Sequence, residues 1–216
     1  MRPGRRRAGW EHEKVLRAQG YGRIAGVDEV GRGCLAGPVV AAAVVLDPAR
    51  PIAGLRDSKQ LSARMRERLA RAVTARASAC GLGVVEAAEI DRTDILRATL
   101  LAMRRAIGAL RVAPEFVLVD ALTVPGIVIP QRALVRGDQI SASIAAASIL
   151  AKVFRDAMMR SFHAVYPDYR FDANKGYGTL VHMEALRRLG ATPLHRLTFR
   201  GVPGPQPPRP MATPRS

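Results

Sequence analysis

The chain has 216 residues and a mass of 23.3 kDa, enough for one substantial core, and 48% of it is hydrophobic. Its longest apolar stretch, 35–46, holds Gly37 and Pro38 and is shorter than the roughly 18–20 residues of a membrane helix. No apolar segment with a cleavage site follows the basic N-terminus, and two cysteines make neither a disulfide framework nor a zinc site, so the expectation is a soluble, cytoplasmic domain. Thirty-four Lys and Arg against 18 Asp and Glu give a net charge of +16, which favours a polyanionic partner such as nucleic acid.

The charge is partly segregated. Residues 1–23 carry seven basic and two acidic side chains, and Arg5-Arg6-Arg7 suggests a basic arm leading into a short helix over Glu11–Ala18. Arg23–Glu29 is a short apolar run that ends in acids, and Gly37–Leu46 is a longer strand whose Pro38 is tolerable at the start. Asp57-Ser58-Lys59-Gln60 forms a polar loop. Ser62 then offers an N-cap for a helix through Arg76, with Met65, Leu69, Ala72 and Val73 at helical spacing. Gly81–Ala87 is the next strand. Thr93–Leu110 is predicted as a helix with Ile95, Leu96, Leu100, Met103, Ala106, Ile107 and Leu110 as its apolar stripe. Phe116–Asp120 is a continuous apolar strand ending in an acid, and Ile127–Ile129 is a short strand after Pro125-Gly126. Asp138 opens a long helix to about Phe162, and a last helix runs from Thr179 to Leu189, closed by Gly190. From Gly201 six of sixteen residues are proline, so 201–216 is expected to be a disordered tail. The pattern predicts a layered α/β domain over 22–200 with a helical C-terminal portion, preceded by a basic arm and short helix over 1–21.

Four carboxylates stand out by position. Asp28 and Glu29 end the first strand, Asp120 ends the strand FVLVD, and Asp138 follows Gly137 at a helix start. Acids at strand ends can converge on one edge of a sheet, where a cleft forms. An all-oxygen cluster of that kind repels itself without a cation, and it suits Mg²⁺ or Mn²⁺. Two ions about 4 Å apart serve in-line displacement at a phosphodiester. Plain alternatives stand beside this: Asp138 as a helix N-cap and Asp120 as a turn cap. The adjacent acids Asp28 and Glu29 are harder to explain that way, because burying them beside a strand costs several kcal/mol unless they are paired.

Two loops complete the set. Gly31-Arg32-Gly33 follows the first acids and lets the backbone approach a ligand, with Arg32 free for a phosphate. Lys175-Gly176-Tyr177-Gly178-Thr179 presents a tyrosine able to stack on a sugar or base. The remaining polar residues have bland assignments. Lys152 and Asp156 make a solvated i,i+4 pair, Cys34 and Cys80 are small buried or half-buried thiols, and Asp168 and Asp172 are loop acids. His182 is a packing residue, with a substrate-side role as the other option, and Lys59 is a candidate for touching phosphate or helping to hold the site.

The stretch GVDEVGRG at 26–33 with PVVAAAVVL after it, DSKQLS at 57–62, LVDA at 118–121, RGDQISASIAAASILAKVFRD at 136–156 and KGYGT at 175–179 with His182 resemble, in order, the motifs of the type 2 ribonucleases H, or ribonuclease HII family. The resemblance spans roughly residues 22–200. It implies a ribonuclease H-like fold, a mixed five-stranded sheet flanked by helices. It implies endonucleolytic cleavage of the RNA strand of RNA–DNA hybrids and of single ribonucleotides embedded in duplex DNA, on the 5′ side, leaving 3′-hydroxyl and 5′-phosphate ends. By motif position, Asp28, Glu29, Asp120 and Asp138 are then the metal-binding catalytic carboxylates for Mn²⁺ or Mg²⁺. Gly31, Arg32 and Gly33 read the 2′-hydroxyl, Tyr177 stacks on the neighbouring deoxyribose, and Lys175 helps hold the duplex. Arg136 and Asn174 depart from the Lys and His common in that family. The short N-terminal region argues for type 2 over type 3, no sliding-clamp segment is evident in the tail, and a monomer is the default. Two rivals stay open: a non-catalytic nucleic-acid-binding protein on the same fold, and a DNA-directed ribonuclease H-like nuclease.

Overall fold

The computed structural model describes residues 8–204; Arg5-Arg6-Arg7 and most of the proline-rich tail lie outside the described residues. In chain order the elements are α1 (Glu11–Ala18), β1 (Ile24–Val30), β2 (Val39–Val45), a 3₁₀ turn (Ser58–Gln60), α2 (Ala63–Arg76), β3 (Ala79–Val85), α3 (Ala87–Arg92), α4 (Ile95–Gly108), β4 (Phe116–Asp120), β5 (Gln131–Leu134), α5 (Gly137–Ile140), α6 (Ala142–Val165), a second 3₁₀ turn (Pro167–Tyr169), α7 (Phe171–Asn174) and α8 (Leu180–Leu189). The strands form one five-stranded sheet in the order β3-β2-β1-β4-β5. The pairs β1–β2 and β2–β3 are antiparallel, whereas β1–β4 and β4–β5 are parallel, so the sheet is mixed. Among the described residues no helix is long and apolar enough to cross a membrane.

Successive side chains of a strand point to opposite faces, and β2 shows how this chain uses both. Val39, Ala41, Ala43 and Val45 join the cluster under α4, with Ala102, Met103 and Ala106. Val40, Ala42 and Val44 join the cluster under α2 and α6, with Leu69, Val73, Ala145 and Ile149. A strand buried on both faces has no polar alternation, which is why VVAAAVV reads as an unbroken apolar run. The helix α1 packs onto the same body: Leu16 is fully buried in a cluster with Ile24, Phe116, Leu118 and Ile144.

Two predicted elements are corrected. The short helix α3 ends at Arg92, and the helix expected over 93–110 follows it as α4, with the Asp94 carboxylate accepting from the Arg97 amide as its cap. Its buried face is carried by Ala98, Thr99, Ala102, Met103, Ala106 and Ile107, while Leu96 is exposed. The strand expected over 127–129 is displaced to β5, because Val128 stands fully in solvent and pairing begins only at Gln131 beside Val117. The long helix expected from Asp138 is two helices. A single turn, α5, carries Asp138, the chain extends at Ser141, and α6 begins at Ala142. The Ser141 hydroxyl accepts from the Ile144 amide and so caps α6. The buried Glu13 of α1 reinforces the break, its Oε1 accepting from Ser141 Oγ at 2.7 Å and from the Ser143 amide at 2.9 Å.

Candidate active site

The site starts from strand register. Val27 pairs with Val119 as the last parallel pair of β1 and β4, which leaves Asp28 and Asp120 side by side one position on, at the carboxyl ends of two parallel strands. Both belong to the sheet face covered by α6, since their neighbours two residues back, Gly26 and Leu118, meet that helix or share a cluster with its Ile144. A Cβ on Gly26 would lie 2.1 Å from the Ser143 carbonyl carbon, so glycine lets α6 lie directly on β1. Asp138 arrives from the other side. The Gly137 amide at the start of α5 donates to Asp120 Oδ1 at 2.6 Å, fixing the turn that carries Asp138 against the end of β4. Asp138 does not cap a helix: the N-terminal position of α5 belongs to Arg136, in the left-handed region at φ 55°, and Ser141 caps α6. The alternative reading of Asp138 as a plain helix cap is therefore set aside.

Glu29 occupies the strand position next to Asp28, half-buried, with its carboxylate 3.5 Å from Arg32 Nη1. Asp28 and Asp138 are both only 6% exposed. Burial first, then Glu29 and Asp120 beside it, hold the Asp28 carboxyl well above the ordinary carboxylate range. Burial, then the Asp57 and Asp120 charges, push Asp138 up to about 6. Burial also raises Glu29 and Asp120, the latter partly offset by the Gly137 amide and the Lys59 ammonium. Each of the four sequence-predicted acids thus favours its proton, three of them in part because another acid of the set lies near. A cation among them would reverse that preference.

Asp57, which the sequence places only in a polar loop, is a fifth acid at this edge. It is 7% exposed, caps the Lys59 amide at 2.8 Å, and shares a hydrogen bond with Asp138. Its place in DSKQLS is the only sequence signal for it. Ser148 of α6 is a further addition; its hydroxyl bonds the Asp28 carboxylate and lies 3.0 Å from Ser58 Oγ. Lys59 is exposed and acts on Asp120 and Asp138 through its charge.

As it stands, no group of three or more acidic, histidine or cysteine side chains among the described residues is arranged to hold a metal ion. The donor chemistry nonetheless fits Mg²⁺ or Mn²⁺. Every donor is a carboxylate oxygen, and Mg²⁺ is commonly held by one or two carboxylates with water and substrate phosphate completing its shell. A groove of about 680 Å³ between α2 and α6 is lined by Leu150, Val153 and Phe154 and by none of these acids. The acids stand instead around the carboxyl ends of β1 and β4.

The two loops meet beside the acids. Arg32 and Gly33 are exposed and Gly31 is buried, while Tyr177 is 43% exposed with its hydroxyl near Cys34. The Gly176 carbonyl accepts from the Leu35 amide at 2.8 Å, joining the second loop to the first. Lys175 is half-buried, its ammonium donating to the Asp172 carbonyl. Lys152 and Asp156 are not a solvated pair: they bond at 2.7 Å with side chains only 18% and 11% exposed. Cys34 is buried and Cys80 half-buried, as expected. His182 is fully buried and hydrogen-bonded, which fits packing.

The model of the family described as Ribonuclease HII matches residues 25–202. The ribonuclease HII of Nitrosococcus oceani is 58% identical over 180 residues, covering 83% of this chain and 90% of that one. The ribonuclease HII of Syntrophotalea carbinolica is 52% identical over 190 residues, covering 88% and 91%. Among solved structures, the ribonuclease H2 from Pyrococcus horikoshii OT3 superposes with a TM-score of 0.72 at 26% identity, over 83% of this chain and 94% of that one. The RNase HII of Archaeoglobus fulgidus, solved in complex with PCNA, gives 0.70 at 26% identity, over 82% and 95%. With the matched segment running from β1 past the last helix, the chain belongs to the ribonuclease HII family of endoribonucleases.

Proposed function

We propose that this chain hydrolyses the phosphodiester on the 5′ side of a ribonucleotide, both in RNA–DNA hybrids and at single ribonucleotides embedded in duplex DNA, leaving 3′-hydroxyl and 5′-phosphate ends. The observation that carries this reading is the gathering of Asp28, Glu29, Asp120 and Asp138 at one sheet edge, with raised proton affinities that a divalent cation would relieve. In this reading the four carboxylates hold Mg²⁺ or Mn²⁺. Bound there, the ions would supply Lewis-acid activation of the attacking water and neutralise charge at the leaving 3′ oxygen.

The protein's own part is placement. Asp28 and Asp120 are fixed by β1 and β4, and the amide of Gly137 orients Asp120. The glycine-flanked Arg32 brings main-chain donors to the sugar edge, where a 2′-hydroxyl separates RNA from DNA. Tyr177, exposed between Gly176 and Gly178, offers its ring to the neighbouring deoxyribose, and Lys175 adds charge near the backbone.

The test is cleavage of a labelled DNA duplex containing one ribonucleotide, with Mg²⁺, with Mn²⁺ and with chelator. Metal-dependent cutting on the 5′ side of that nucleotide is expected. Asp28→Asn or Asp120→Asn should lower cleavage by about 10³-fold or more while leaving duplex affinity within a few-fold. Full activity in either variant would rule out the carboxylate site. Equal cutting of an all-DNA duplex would favour a DNA-directed nuclease, and no cutting of any duplex would favour a binding protein.

A further inference from the structure

Among the described residues, two buried arginines make no ion pair with a carboxylate. Arg155 of α6 and Arg196, which follows α8, are both 0% exposed, and among the described residues every hydrogen bond of their guanidinium groups goes to a main-chain carbonyl. Arg196 donates to Gly31 O at 2.7 Å, to Arg32 O at 2.8 Å and twice to Gly37 O, at 2.8 and 3.1 Å. Arg155 donates to Pro38 O at 2.8 Å, to Lys175 O at 2.9 Å and to Ala36 O at 3.1 Å. Burying a bare cation is costly, so six carbonyls must converge on the pair for the chain to fold this way.

That convergence has a geometric consequence. In a trans peptide the C=O and the following N–H point in opposite directions. Drawing the Gly31 and Arg32 carbonyls inward to Arg196 therefore turns the amides of Arg32 and Gly33 outward. Neither amide donates to a protein acceptor among the described residues. The space beyond Gly33 is open, with nothing within 4 Å of where a Cβ would stand. Two amides without a protein acceptor, beside the open space at Gly33 and with a buried positive charge behind them, can serve an oxygen ligand. The same guanidinium groups lock the second loop to the first, since Arg155 holds the carbonyl of Lys175, two residues before Tyr177.

We propose that Arg196 and Arg155 are positioning residues for ribonucleotide recognition, fixing the outward amides of Arg32 and Gly33 and docking the Tyr177 loop against them. The proposal rests on the reading of these loops given above. Lysine cannot substitute: a guanidinium is a planar fork of five donors, whereas an ammonium is a single point with three.

Arg196→Lys and Arg155→Lys keep the charge and remove the fork, which separates loop geometry from electrostatic attraction. In chelator, binding is measured to a duplex with one ribonucleotide and to the same all-DNA duplex, alongside amide hydrogen exchange. Each variant should lose the preference for the ribonucleotide by roughly tenfold or more, while affinity for all-DNA duplex stays within about twofold. Exchange should quicken at the hydrogen-bonded amides of 34–37 and of 176 and 177 and stay unchanged in β2. A role confined to overall stability would weaken both duplexes together and raise exchange everywhere. A folded variant with the wild-type ratio and wild-type exchange overturns the proposal. Should Arg196→Lys fail to fold, Arg155→Lys is judged by the same two measures. If the wild type itself does not distinguish the duplexes, the reading of the loops fails instead, and the exchange pattern alone decides whether the arginines position them.

Discussion

The two glycines around Arg32 are not glycines for the same reason. Gly31 sits at φ 98°, and a Cβ there would stand 2.3 Å from Arg155 Nε and 2.8 Å from the Pro38 carbonyl. The fold alone demands glycine at that position. Gly33 has an ordinary backbone and empty space where its Cβ would go, so nothing inside the protein requires it. If Gly33 exists to admit a ligand, the two substitutions must separate. Gly31→Ala should cost about 2–4 kcal/mol from strain and overpacking. Gly33→Ala should leave stability within about 0.5 kcal/mol yet slow cleavage at a single ribonucleotide by roughly tenfold or more. Thermal unfolding and single-turnover cleavage of both variants check this; wild-type kinetics in Gly33→Ala would remove the close approach.

Among the elements, α8 is tied to the Tyr177 loop by a chain of neutral histidines. The Thr192 amide can only donate, so His195 Nδ1, 2.9 Å away, is an acceptor. His195 Nε2 then carries the proton and donates to His182 Nε2 at 3.0 Å, and His182 Nδ1 donates to the Tyr177 carbonyl at 2.9 Å. Tyr169 and Phe171 close over both rings, and Tyr169 spends its hydroxyl on the Gly190 carbonyl. Burial, then the neighbouring His182, pushes His195 down to about 4, and burial lowers His182 too. The folded protein therefore binds fewer protons here than the unfolded chain between about pH 6.5 and 4. The stability this pair contributes is complete above 6.5 and is lost as pH falls, by roughly 3 kcal/mol at the lower end for His195. The raised carboxyls of the acid cluster have the opposite sign, so the pair must be isolated by difference. Between pH 7 and 4.5, wild type should lose about 2 kcal/mol more than His195→Gln in denaturant unfolding. Parallel curves would mean the relay is not a neutral pair.

Elements with one strong period were legible in the sequence: VVAAAVV as a doubly buried strand, and α2 from Ser62 with its leucine and valine stripe. The break at Ser141 was not, because helical periodicity continues across it. Only a tertiary partner marks it: Glu13, 130 residues away from Ser143 in the chain, accepts from the Ser143 amide and from the Ser141 and Ser143 hydroxyls. The candidate site shows the same division. Acids at the ends of apolar strands announced Asp28, Glu29 and Asp120, whereas Asp57 and the carbonyl-binding Arg155 and Arg196 depend on tertiary neighbours that no local pattern encodes.

Across the whole molecule, the acids are a local exception in a chain with a net charge of +16. Five carboxylates at one edge repel phosphate, so on the proposed function the substrate is held by charge placed elsewhere, and a cation would be needed at the acids themselves. Exposed Arg32 lies beside Glu29 and half-buried Lys175 stands in the second loop, but these two side chains cannot account for so large an excess. Residues 1–7 add Arg2, Arg5, Arg6 and Arg7. Each phosphate neutralised releases condensed counterions, so affinity measured in chelator should fall steeply with salt. For about five phosphates the loss is roughly 10²–10³-fold between about 50 and 200 mM. Deleting residues 1–7 should flatten the logarithmic slope by about one for each phosphate that the arm neutralises, while the preference for a ribonucleotide, which the proposed reading assigns to Arg32, Gly33 and Tyr177, should stay as it was. An unchanged slope would assign phosphate binding wholly to the folded domain. Disappearance of the preference would mean that the arm reads the junction as well as holding the duplex.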